Sequence, residues 1–177
     1  MSTYFRTRQT LEKKATWALV TFLFIAYLFC TAGFDWRSDK FGVENRPLDT
    51  RFLYDPPCVK SLFSRLGAEK LKIYAITELT LDVVFPLVYV SLLVFLIIRV
   101  FPRDKAKYLI LLPILGGLLD LSENFSVAFL ALTFDGQLSN LSYLASIFTT
   151  SKLILLPTCL VILLIGAIWK IWKKEES

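Results

Sequence analysis

Leu118-Leu-Asp-Leu-Ser-Glu-Asn-Phe125 places Asp120, Glu123 and Asn124 inside an apolar run from Tyr108 to Leu132, long enough to cross a bilayer. A carboxylate in hydrocarbon costs at least ~2.5–3.5 kcal/mol on insertion scales, so two on one segment must face protein, water or a partner. Residues three and four apart share a helix face, so the three polar groups point the same way. That face is expected to be the inside of a helical bundle.

The rest of the chain supplies the other helices. Hydrophobic residues make up 55% and charged residues 20% of the 177, against about 45–50% and about 25% in soluble domains. Four apolar runs have spanning length: residues 16–34, 73–101, 108–132 and 141–172. The composition therefore predicts an all-α integral membrane four-helix bundle that occupies 1–177 as one domain. The first run continues past the ~7–15 residues of a signal peptide's apolar core and lacks Ala-x-Ala, so it is read as a retained helix.

A net charge of +5 could suit nucleic acid, but Lys and Arg gather beside the runs and form no stripe. Arg6, Arg8, Lys13 and Lys14 precede the first. Arg99, Arg103, Lys105 and Lys107 join the second to the third, and Lys170, Lys173 and Lys174 follow the fourth. The basic balance reads as topology, with no nucleic-acid partner: both termini and the middle connection are cytoplasmic, and the loop 35–72 lies outside. Within that loop Val59, Leu62, Phe63 and Leu66 form an i, i+3, i+4, i+7 stripe. This predicts a short amphipathic helix from Cys58 to Ala68, stopped by Gly67, that serves as a lid or as an entrance for a ligand.

Histidine is absent and none of the three cysteines has Cys-x-x-Cys spacing. These features count against haem, zinc and thiol–disulfide chemistry, so no metal or cofactor is expected. Cys30 and Cys58 are read as free thiols that could pair only on an oxidising side.

The second run carries Glu78, Asp82 and Tyr89 around Pro86. Glu78 and Asp82 are four apart and share a face. Pro86 has no N–H, so it frees the carbonyl of Asp82 and a kink is expected there. At 1.5 Å per residue, Glu78, Asp82, Asp120, Glu123 and Lys152 of the fourth run fall within roughly 10 Å of one another along the membrane normal. Four acids and one lysine are expected to meet in one pocket in the outer half of the bilayer, with Lys152 paired to one carboxylate.

Asp49-Thr-Arg-Phe-Leu-Tyr54, Asp82-Val-Val-Phe-Pro86-Leu-Val-Tyr89 and Asp120-Leu-Ser-Glu123-Asn124, together with Lys152, resemble a family of small four-span membrane proteins, mostly bacterial, with no assigned activity. The resemblance implies a bacterial inner membrane. A more remote likeness, on Glu78, Pro86 and Pro157, is to the EXPERA group of sterol isomerases and the sigma-2 receptor. The isomerase's histidine is missing here.

Three functions are weighed. In the first, Glu78, Asp82, Tyr89, Asp120, Glu123, Asn124 and Lys152 hold the head of an apolar or amphipathic ligand such as a lipid. Whether such acids also perform acid–base chemistry is left open. In the second, they only fix helix packing in an accessory subunit, within a homo-oligomer or a larger membrane complex. In the third, they belong to a proton- or cation-coupled transporter.

Overall fold

The computed structural model describes residues 17–42 and 45–175, and these form helices and connections with no strand among them. Helix α1 (Trp17–Phe41) leads to a 3-10 turn (Leu48–Thr50), α2 (Pro56–Leu79), α3 (Leu81–Val100), a short α4 (Arg103–Leu109), α5 (Leu111–Leu132) and α6 (Leu141–Glu175). Ala18–Phe41, Pro56–Val100, Arg103–Leu132 and Leu141–Trp172 are long and apolar enough to cross a membrane. The chain is an integral membrane protein with a transmembrane helical bundle.

Local chemistry sets the boundaries. Asp55 caps α2 by accepting from the Cys58 N–H at 2.9 Å, and prolines fill the first helical positions, where no N–H is needed. Gly67, at φ 70°, interrupts α2 without ending it, because glycine takes the left-handed region that other residues avoid. A second joint at Thr80 hands the chain from α2 to α3. Between α4 and α5 the helix breaks at Ile110; Pro113 cannot donate to the carbonyl of Leu109, so the ladder is weakest there.

Two expectations need correction. The first helix does not stop at Phe34 but runs to Phe41, because Arg37 finds carboxylates inside the bundle. The loop is accordingly shorter than 35–72: its first residues belong to α1 and its last to α2. The expected stop at Gly67 is met: its non-helical φ of 70° and ψ of 169° end the amphipathic segment, and a second helical segment begins directly beyond it.

The stripe Val59, Leu62, Phe63 and Leu66 is buried with Leu48, Tyr54, Tyr74, Val127, Leu130 and Ala145, so this helix is packed on the bundle as a lid. The connection is fastened beside it. Leu53 and Tyr54 donate their N–H groups to Thr150 Oγ1 at 3.2 Å and Ser146 Oγ at 2.8 Å, and Leu48 N–H donates to the Tyr74 hydroxyl at 2.8 Å. Burial, reinforced by the Glu123 charge, pushes the Tyr54 phenol well above its usual range. It stays a neutral hydroxyl against Thr149, 3.1 Å away.

At the other end Tyr89, Leu93, Ile97, Ala106 and Cys159 form a second core. Gly116 and Gly117 let α5 approach its neighbours: a Cβ on either would lie 2.6 Å from Leu156 or 2.5 Å from Val90. Cys30, Cys58 and Cys159 are free thiols. Helices α5 and α6 pack most extensively, whereas α1 rests chiefly on α3 and, among the described residues, has at most marginal contact with α6.

Candidate functional site

Arg37, 2% exposed, is the centre of a buried ion cluster built by four elements, its own α1 among them. Its Nη1 donates to Asp82 Oδ2 at 2.6 Å and to Glu78 Oε1 at 3.4 Å, and its Nη2 donates to Asp49 Oδ2 at 2.9 Å. Asp49 comes from the 3-10 turn, Glu78 from the last turn of α2 and Asp82 from the first turn of α3. A planar fork with five donors can serve three carboxyls at once from two separate nitrogens. Its guanidinium also lies over the rings of Phe34 and Tyr74, 5.0 and 5.7 Å from their centroids.

A second cluster stands on α5 and α6. Lys152 Nζ donates to Asp120 Oδ1 at 2.6 Å and ion-pairs with Glu123 Oε2. The Tyr89 hydroxyl donates to Asp120 Oδ2 at 3.0 Å. Lysine therefore serves two carboxylates where the spacing predicts one. Thr149 and Tyr54 continue the polar layer towards the connection before α2.

Asn124 joins the two clusters. Its Nδ2 donates to the Asp82 carbonyl at 2.5 Å, the acceptor that Pro86 leaves without a helical donor. The carbonyl that Pro86 strands in α3 is thus satisfied from α5.

All seven residues singled out from the sequence are buried: Glu78, Asp82, Tyr89, Asp120, Glu123, Asn124 and Lys152. The bundle brings them together, and adds Arg37 and Asp49, which sequence reasoning missed. The available signal was stoichiometric: four acids at one depth against a single lysine leaves a cation to be found.

Beside these groups lies a cleft of about 850 Å³ bounded by α1, α3 and α6. Arg37, Asp49, Asp82, Tyr89, Asp120 and Lys152 line its charged end; Val20, Phe24, Leu93, Leu96, Leu156 and Leu160 line its apolar arm. From Val20 to Arg37 along α1 the wall is about 25 Å long at 1.5 Å per residue. Glu78, Glu123 and Asn124 are not on the cleft surface but behind it.

Several polar atoms in this layer are buried without a partner: Asp49 Oδ1, Glu78 Oε2, Asn124 Oδ1 and Arg37 Nε. Each such group normally costs ~1–3 kcal/mol and calls for an explanation. Among the described residues no group of three or more His, Cys, Asp or Glu is arranged to hold a metal ion. Comparison with known proteins finds no matching family model, no matching curated protein and no matching solved structure.

Proposed function

We propose that this chain binds an apolar or amphipathic ligand, such as a lipid, in the cleft between α1 and α6. The polar head lies against Asp82, Tyr89, Asp120 and Lys152, and the tail follows Leu93, Leu96 and Leu160. One observation carries the reading: a single cleft runs from a charged end to an apolar arm, along the seam where two spanning helices have, among the described residues, at most marginal contact. Acyl chains occupy the outside of such a bundle, so a ligand enters sideways. Both termini are cytoplasmic by the distribution of Lys and Arg, the membrane is a bacterial inner membrane, and the kinship with small four-span proteins sharing Asp-x-x-Glu-Asn is part of this proposal.

The test is a mass spectrum of lipid extracts from the purified protein, with Leu96→Trp and Asp120→Asn beside it. Leu96→Trp fills the apolar arm without touching an ion pair and is expected to remove the co-purifying species. An unchanged lipid profile in a folded Leu96→Trp variant defeats the proposal.

A second reading is that the buried charges hold the helices of an accessory subunit in a larger assembly. What favours it is that Glu78, Glu123 and Asn124 lie behind the cleft wall and face other protein groups. It predicts that Glu123→Gln lowers stability while Leu96→Trp changes nothing. Transport gains less, because the far arm is lined by Val20, Leu96 and Leu160 rather than by a proton-relaying chain.

A further inference from the structure

At the charged end of the cleft, acceptors outnumber donors. Five carboxyls, Asp49, Glu78, Asp82, Asp120 and Glu123, share two cations, Arg37 and Lys152. When all those contacts are made, Asp49 Oδ1, on a residue that lines the cleft, and Glu78 Oε2, behind the cleft wall, are still buried without a partner, and Arg37 Nε is the one unpartnered donor of this cluster among the described residues. Pro157 adds to the excess. It has no N–H to give the Leu153 carbonyl, and both residues line the cleft next to Lys152. The bundle satisfies the corresponding vacancy in α3, at Asp82, from its own Asn124.

Resting on the cleft as a ligand site, we propose that its occupant is a long-chain amphiphile with a protonated amine head. An ammonium brings three donors and no acceptor, and its charge offsets the excess of the three carboxyls that line the cleft, Asp49, Asp82 and Asp120, over its two cations, Arg37 and Lys152. A phosphate or carboxylate head would bring more acceptors and more negative charge to the same place. A hydroxyl supplies one donor and two further lone pairs. The size of the cleft, about 850 Å³, is within the roughly 300–1,000 Å³ of small-molecule sites. That suits one slender amphiphile with its chain along Leu93, Leu96 and Leu160.

The experiment uses the full chain in phosphatidylcholine nanodiscs and compares hexadecylamine, hexadecanol and hexadecyl phosphate, with empty nanodiscs as the correction for partitioning. Binding is read both directly and as a rise in unfolding midpoint. The amine is expected to bind at least about tenfold more tightly than the alcohol, a difference of ~1.4 kcal/mol, and the phosphate to leave the midpoint unchanged. Leu96→Trp is expected to abolish the amine's effect, and Asp82→Asn to bring its affinity down to that of the alcohol. If alcohol or phosphate equals or exceeds the amine and Leu96→Trp removes that binding, the cleft is a ligand site but the assignment of its head is overturned. If none of the three binds, or Leu96→Trp leaves amine binding intact, the reading of the cleft fails and takes this inference with it. Should Asp82→Asn not fold, the headgroup series on the unsubstituted protein still decides.

Discussion

Replacing Arg37 with methionine keeps an unbranched, shorter apolar stem and removes the one cation that, among the described residues, Asp49, Glu78 and Asp82 share. Breaking a buried ion pair from one side costs ~3–5 kcal/mol, because the remaining charge stays desolvated. At about 2–4 °C per kcal/mol for a chain of this size, the unfolding midpoint should fall by about 6 °C or more. Arg37→Lys restores the charge but not the fork that reaches Asp49 and Asp82 on separate nitrogens at 2.9 and 2.6 Å, so it should recover part of the loss. The measurement is reversible unfolding in mixed micelles. It is extended to the cycle with Asp82→Asn, in which the double variant should be less damaged than the two single effects combined. Additive effects, or an Arg37→Met protein within about 1 kcal/mol of the parent, a shift surface substitutions produce, would refute the idea that this cluster holds α1 in place.

Other perturbations separate backbone from side-chain effects. Asn124→Ala leaves the Asp82 carbonyl buried and unpaired and should cost ~1–3 kcal/mol; in a Pro86→Ala background the restored N–H serves that carbonyl, so the same substitution should cost measurably less. Gly67→Ala meets no atom within 4 Å, so its penalty comes from the left-handed backbone alone and should be about 1–2 kcal/mol in the same assay. A penalty near zero would show that the bend between the lid and the second span is not held at that dihedral angle.

The spanning helices and the polar face of α5 are legible in the sequence because the two signals involved are local. Tyr108 to Leu132 is apolar for long enough to span, and Asp120, Glu123 and Asn124 are three and four residues apart. The Pro86 vacancy at Asp82 is legible too, since a proline frees the carbonyl four residues before it wherever it sits in a helix. The extension of α1 is not. Asp35-Trp-Arg-Ser-Asp-Lys40 reads as loop because periodicity carries no record of a partner distant in sequence. What keeps Arg37 helical and buried is Asp49, Glu78 and Asp82 arriving from three other elements. The double duty of Lys152 escapes for a similar reason: spacing gives the depth of a group, while the number of its partners depends on the angle between helices.

The amide of Asn124, seated on a carbonyl that a proline in another helix left bare, acts as a depth key. A slip of one residue along α5 would carry that amide about 1.5 Å along the axis and about 100° around it, out of reach of its seat. The two helices accordingly have one permitted sliding position. Asp82, Tyr89, Asp120 and Glu123, distributed over both, take their mutual alignment from it independently of either cation.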